Sequence, residues 1–409
     1  MTDFKIQDKK YYPYMDGFRA IAAFWVMLHH MFIFFNFNRM FDELNKFSPR
    51  IFSIDLKLFF RTIENSISSL ASCGKIGVDM FFVISGFLIT GLLLEHLEAG
   101  VDIKRFYIRR FFKIIPQYLF AVIFVAILYI FVPPFYILLF NVPGQLSTMG
   151  SSHANGAILW HYFFFLQNYS TQVPMLAHSW SLVIEEHFYF FYPIVMWVVC
   201  KTQHDVINRR KVMIYLCFFI IILCNFIRYR FASGIPCLNI FFSAPLHFQT
   251  TLFRFDALGI GCLIKLYEPQ ITGKNRLLKF IAPFSFLAGL FIYVLFYLKK
   301  LTVGGYLTDT WYSYTLAYLA ASFIFISAMR RFEPLNFIVE NPTLRFIGRN
   351  SYGIYLWHYI LLFSATIMMT YLGISLSVII YVFSAVFVGI LTTTTIEKYF
   401  LRIRNQIYP

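Results

Sequence analysis

Residues 17–37, Gly17-Phe-Arg-Ala-Ile-Ala-Ala-Phe-Trp-Val-Met-Leu-His-His-Met-Phe-Ile-Phe-Phe-Asn-Phe37, hold one full charge in 21 positions. About 20 apolar residues in a helix cross the hydrocarbon of a bilayer. Lipid offers backbone N–H and C=O groups no partner but each other, so such a run must be helical. Nine more runs of similar length follow, at about 76–96, 114–133, 179–200, 212–232, 248–267, 279–298, 311–329, 351–371 and 376–396. The run at 158–167 is too short to cross and reads as a re-entrant or interfacial piece; 38–75 is more polar and reads as a loop with some helix. The expected fold class is all-α, a polytopic integral membrane protein of about ten transmembrane helices. It forms a single membrane domain over 1–409, with its transmembrane core at about 15–400.

The rest of the composition agrees. Of 409 residues, 59% are hydrophobic and 21% aromatic, while only 13% are charged. A soluble domain carries about 25% charged residues, so most of this surface must be turned to lipid. The formal charge is +15, but the Lys and Arg side chains sit in short clusters between apolar runs. That is the pattern of cytoplasmic loops and argues against nucleic acid as a partner. With the N-terminus inside, inner segments hold 24 of the 35 Lys and Arg and outer segments ten, Arg228 and Arg230 among them; Arg254 lies within a span. Both termini are therefore expected in the cytoplasm. No signal peptide is expected, because polar residues up to Lys10 lead into the first span without a cleavage site. The six cysteines have no metal-ligand spacing, and no metal is expected. Cys200, Cys217, Cys224 and Cys262 read as small hydrophobes, whereas Cys73 and Cys237 fall on one expected side, where a disulfide is open.

Ionisable groups inside spans are costly, which makes each a candidate for function. Arg19 and His30 are eleven residues apart, about three helical turns, so they share one face with a rise of roughly 16 Å between them. Arg19 then sits at the inner interface and His30 near mid-membrane, where a neutral imidazole serves as a base. His29 points away and reads as structural. Asp79, expected at the outer end of the second span, either pairs with an arginine or meets substrate. Arg109, Arg110 and Lys113 lie at the inner start of the third span, with Arg110 and Lys113 one turn apart and projecting together, a spacing that suits phosphate oxygens. Basic loops also arise from topology alone. Ser181, Glu185 and Tyr189 follow i, i+4, i+8 and make one polar stripe on an otherwise apolar helix. Arg254 and Asp256 read as an intramembrane charge pair. His358 is open between core packing and substrate contact.

Six segments, in order, resemble the membrane acyltransferase-3 family. They are Met15 to Ala23 with His30 following, Gly77 to Phe87, Arg109 to Pro116, Ser179 to Tyr189, Arg254 to Leu258, and Gly348 to His358. The resemblance implies that His30 is the catalytic histidine with Arg19 as companion, and that Arg110 and Lys113 hold the phosphates of coenzyme A. The family usually has Arg where Lys113 stands, and lysine keeps the charge without the bidentate fork. Some members carry an appended soluble hydrolase-like domain; none is expected here.

The implied reaction is O-acetyl transfer from cytoplasmic acetyl-CoA to a carbohydrate hydroxyl, as in O-antigen, exopolysaccharide or peptidoglycan acetylation, in the cell (inner) membrane. A lipid-linked carbohydrate acceptor is compatible with this reading, and its carrier is open. His30 would take the hydroxyl proton and Glu185 would orient the imidazole, with Asp79, Ser181, Tyr189 and His358 toward the substrate. An acetyl-histidine intermediate, another short acyl donor, a non-carbohydrate acceptor and a proton-coupled exporter are the alternatives.

Overall fold

Backbone groups in a chain this apolar are satisfied within helices, and that is what forms. The computed structural model describes residues 11–35, 74–97, 103–131, 156–169, 173–232, 249–273, 280–303 and 313–407, and every regular element among them is helical. Most of the polar segment 38–75, most of the outer loop 134–178, and both Cys73 and Cys237 lie outside the described residues.

The order is α1 (Pro13–Phe34), α2 (Lys75–Leu97), α3 (Ile103–Phe131), α4 (Gly156–Phe163), α5 (Trp180–Thr202), α6 (Val206–Ala232), α7 (Phe255–Leu266), α8 (Ile281–Val303), α9 (Ser313–Met329), α10 (Glu333–Val339), α11 (Pro342–Arg349), α12 (Ser351–Leu372), α13 (Ile374–Thr392) and α14 (Lys398–Ile407). Tight 3₁₀ turns at Pro174–Ser179 and Thr251–Phe253 precede α5 and α7, and a π turn at Thr393–Glu397 joins α13 to α14. Among the described residues, six helices are long and apolar enough to cross a membrane, and two shorter apolar ones lie at Ile281–Leu295 and Tyr314–Met329. The chain is a multi-pass, all-α membrane protein. The short run at 158–167 overlaps α4, eight residues long.

One expected span is corrected. The run 248–267 is not a continuous helix: it is a 3₁₀ turn, a break at Arg254 with φ −131°, and then twelve residues of α7. Twelve residues rise about 18 Å, short of a bilayer core. The break has a cause, since Arg254 and Asp256 both turn into the protein to meet charges on other helices. Arg228 is corrected with them. Counted from sequence as an outer-loop cation, it is buried within α6 and clamps Asp256 with two nitrogens at 3.1 and 2.5 Å.

Large apolar side chains face outward on the lipid side, among them Phe219, Phe284, Phe383 and Phe387, each more than half exposed. His29, His178, His358, Asp79, Asp256 and Tyr318 are turned inward and buried, the arrangement expected where the surroundings are hydrocarbon. Gly77 of α2 lies against Ala22 and Val26 of α1, and ten residues on Phe87 meets the ring of Tyr12, so α2 runs antiparallel to α1. By that register Asp79 lies about level with Ala22, near the middle of α1, not at an outer edge. α12 runs parallel to α1, with His30 meeting His358 and Phe34 meeting Phe363.

α2 and α7 cross with their backbones in contact. A Cβ on Gly86 would stand 2.1 Å from the carbonyl oxygen of Leu258, and one on Gly261 would stand 2.1 Å from that of Val83. Small residues permit this approach in membranes. Gly86→Val is therefore expected to cost about 1–3 kcal/mol through overpacking. It should lower the thermal midpoint of the detergent-purified protein by several degrees, read by tryptophan fluorescence. An unchanged midpoint would show that the crossing is looser than described.

Candidate active site

Four elements converge on one polar track. The first wall is the chain entering α5, where His178, Ser181, Glu185 and Tyr189 recur at spacings of three and four residues and so lie in one stripe. α12 supplies the facing wall with Ser351, Tyr352, Tyr355 and His358. α1 contributes Arg19 and His30, and α2 contributes Ser85.

At one end of the track the imidazoles meet. His30 Nδ1 lies 3.0 Å from His358 Nε2, and the two rings stack. His358 Nδ1 lies 2.5 Å from the carbonyl oxygen of Tyr355. A carbonyl only accepts, so His358 Nδ1 carries the proton, and in the neutral ring its Nε2 is the acceptor. His30 must then donate from Nδ1, which leaves its Nε2 as a lone-pair nitrogen. This chain fixes the tautomer that a general base requires. His178 packs on the other side of His358 with ring centroids 5.1 Å apart and stacks on Tyr359, which also touches His30. Its Nε2 donates to the Leu356 carbonyl at 3.2 Å, and its Nδ1 is buried without a hydrogen-bond partner among the described residues.

One turn along, Ser181 Oγ and the Tyr355 hydroxyl are 2.6 Å apart. Glu185 follows, accepting from Ser85 Oγ at 2.7 Å and from the Tyr189 hydroxyl at 3.2 Å. Arg19, Ser85, Ser181, Glu185 and Ser351 all line one small cavity of about 50 Å³. Arg19 has no hydrogen bond or ion pair with the described residues, and Ser351 Oγ is buried without a partner among them. Beyond Tyr189 stands Arg110, whose guanidinium lies 4.6 Å from the Tyr189 ring centre. Arg109 and Lys113 share its helix; Lys113 is exposed. α3 is held against α13 at this level by Gln117, which donates to Thr392 Oγ1 at 2.8 Å.

The structure thus brings Arg19, Arg110, Ser181, Glu185 and Tyr189 onto one track with His30 and His358 at its far end. It does not join Glu185 to His30, as expected from sequence. Glu185 bonds to Ser85 and Tyr189, and His358 holds the imidazole instead. The reason is height: Glu185 enters two turns further along α5 than His178, which is the residue level with His358. Asp79 stands apart from the track. It is buried and paired with Arg254 at 2.5 Å, and the Arg254 guanidinium is ringed by Phe82, Trp180, Tyr314 and Tyr318. The expected Arg254–Asp256 pair does not form, because each takes a partner on another helix.

Removing one half of a buried pair leaves an uncompensated charge, at a cost of about 3–5 kcal/mol. Asp79→Ala is expected to destabilise the protein more than Asp79→Ala combined with Arg254→Met, as measured by thermal midpoints in one detergent. Equal losses would mean the pair is not a closed unit.

His178 and Tyr355 escaped the sequence reading as site residues. The signal for His178 was present, since it sits three residues before Ser181 on the same stripe. Tyr355 lies three residues before His358 and gains its place only from contacts across helices, its hydroxyl 2.6 Å from Ser181 Oγ.

The family described as "Acyltransferase domain" matches residues 12–397. The peptidoglycan O-acetyltransferase OatA of Listeria monocytogenes is 28% identical over 358 residues, 86% of this chain and 49% of the relative. A provisionally named O-acetyltransferase of Staphylococcus aureus is 26% identical over 87% of this chain and 51% of its own length. A provisionally named peptidoglycan O-acetyltransferase of Bacillus subtilis is 27% identical over 87% of this chain and 49% of its own. The chain spans about half the length of these curated relatives. No solved structure matches it. The match runs from the start of α1 to the end of the π turn and so takes in every residue of the track: the chain belongs to the membrane acyltransferase-3 family.

Proposed function

We propose that the protein is an O-acyltransferase of the cell membrane that moves an acetyl group from acetyl-CoA to a hydroxyl of a cell-envelope carbohydrate. The observation that carries this reading is the track itself. It joins a cationic helix end at Arg110 to an oriented imidazole at His30 through the interior of the helix bundle. Relatives named for O-acetylation of peptidoglycan support a glycan acceptor, with O-antigen or exopolysaccharide as acceptors of the same chemistry.

In this reading Arg110, Lys113 and Arg109 hold the coenzyme A phosphates at the inner face, by charge and by guanidinium forks. The pantetheine arm follows the Tyr189–Glu185–Ser181 stripe, and Arg19 and Ser351 offer donors to its amides or to the thioester. The acceptor hydroxyl reaches His30 from the opposite side. His30 Nε2 takes its proton as the oxygen attacks the thioester carbonyl. The new C–O bond forms, the C–S bond breaks, and the imidazolium returns the proton to the departing thiolate, giving the ester and free coenzyme A. His358 is a positioning residue, and Glu185 keeps Ser85 and Tyr189 in place along the arm. Burial of the track limits hydrolysis of the thioester by water.

The test is product chemistry. Membranes containing the protein, given acetyl-CoA labelled in the acetyl carbon and a cell-envelope glycan, are expected to yield carbohydrate-bound label that mild alkali releases as acetate. Label that stays on coenzyme A, or that resists alkali as an amide would, contradicts the reading.

A further inference from the structure

A second polar site lies at the other end of α5. A cavity of about 310 Å³ opens between the ends of α2, α5, α6 and α7, bounded by Met196, Val199 and Met213 and by the cations Arg209, Arg210 and Lys265. From Glu185 to Cys200, which also lines it, the helix rises roughly 22 Å, so this cavity is well separated from the track. Between the two, the Thr90 hydroxyl meets the Tyr192 hydroxyl at 2.9 Å and donates to the Gly86 carbonyl at 2.8 Å, and both residues are buried.

The charge in this cavity is unbalanced. Lys265 is neutralised by Glu268 at 2.6 Å, and Tyr12 donates to the same carboxylate. Arg209 donates from Nε to the Gln203 carbonyl, and Arg210 donates from one terminal nitrogen to Leu266 O and Gln270 Oε1. The remaining N–H groups of both guanidinium forks have no hydrogen-bond partner among the described residues. They sit in the first turns of α6, at the end that the Lys/Arg distribution places in the cytoplasm. Neighbouring Trp197, Val198, Val206 and Ile207 are exposed apolar side chains.

We infer that this cavity binds the phosphate headgroup of an anionic membrane lipid. Two guanidinium forks match phosphate oxygens, the methionine and valine walls suit the glycerol and the first methylenes, and basic pockets between helices on the cytoplasmic side are where such headgroups bind. The phosphates of coenzyme A share this chemistry. The Thr90–Tyr192 contact separates the cavity from the track, which favours the lipid.

Delipidated protein in neutral detergent is to be offered phosphatidylglycerol, phosphatidylcholine, inorganic phosphate or adenosine 3′,5′-bisphosphate, with retained lipid read by native mass spectrometry and stability by thermal midpoint. Phosphatidylglycerol is expected to be retained and to raise the midpoint, with phosphatidylcholine and inorganic phosphate doing neither. Arg209→Gln should cut retention about tenfold, by loss of charge-assisted hydrogen bonds. Arg209→Lys, which keeps the charge and guards against misfolding, should fall between. Equal retention by wild type and Arg209→Gln would overturn the inference. So would displacement of phosphatidylglycerol by the bisphosphate, which would assign the cavity to coenzyme A, or binding of inorganic phosphate as tightly as the lipid.

Discussion

His30→Ala is expected to lower the turnover number for O-acetyl transfer by about 10²–10⁴, the range that a positioned general base supplies, with KM for acetyl-CoA nearly unchanged. The argument rests on the proton chain. The Tyr355 carbonyl sets the His358 tautomer, His358 Nε2 then accepts from His30 Nδ1, and His30 Nε2 is left as the lone-pair nitrogen, the one proposed as base. His358→Ala should cost less than His30→Ala, because it loosens the ring without removing it. His358→Gln, whose side-chain carbonyl can accept the same hydrogen bond, should restore part of that loss. His29, buried beside His30 but outside the chain, serves as the control; His29→Ala should leave turnover within about threefold, since a buried packing change acts mainly on stability. Initial rates in membranes with matched protein levels check all four. Full turnover in His30→Ala would remove the single-base mechanism and move attention to His178, whose Nδ1 is buried without a hydrogen-bond partner among the described residues.

The second large effect belongs to the cationic end. Arg110→Ala with Lys113→Ala is expected to raise KM for acetyl-CoA by roughly ten- to a hundredfold, since hydrogen bonds to charged groups contribute about 1.5–3 kcal/mol. Turnover at saturation should change little, because neither side chain reaches the imidazoles. Lys113→Arg should tighten binding by supplying the fork that lysine lacks. Lys113 is exposed, so its contribution should fall with added salt, whereas that of Arg110, half-buried over Tyr189, should fall less. Initial rates across acetyl-CoA concentration at low and high salt separate these cases. An unchanged KM in the double variant would place the phosphates elsewhere.

Much of this was legible in the residues. Helical phase alone put Arg19 and His30 on one face of α1, and Ser181, Glu185 and Tyr189 on one stripe of α5, because 100° per residue is a property of a single helix. What phase cannot supply is the height and rotation of one helix against another. That is why the partner of His30 was missed: His358 is 328 positions away, and only the parallel packing of α1 and α12 brings the two level. The same limit misplaced Asp79 and mispaired Arg254 with Asp256. Those two are near in sequence, but a broken helix start lets each reach a different neighbour, Asp79 of α2 and Arg228 of α6. Arg228 was miscounted because a charge within a few residues of a span's end looks like a loop residue until its partner is seen. His178 carries the opposite lesson. It is in phase with Ser181, but it stands in a 3₁₀ turn outside the α-helix whose periodicity defines the stripe.

The most direct test of the account is sidedness. Purified protein is to be reconstituted in sealed vesicles and sorted by orientation, with labelled acetyl-CoA supplied only on the side of Arg110 and Lys113 and a membrane-impermeant glycan acceptor only on the other. The account predicts alkali-labile label on the glycan in the opposite compartment, lost in His30→Ala. Label that appears only when donor and acceptor share a compartment would contradict transfer through the interior track.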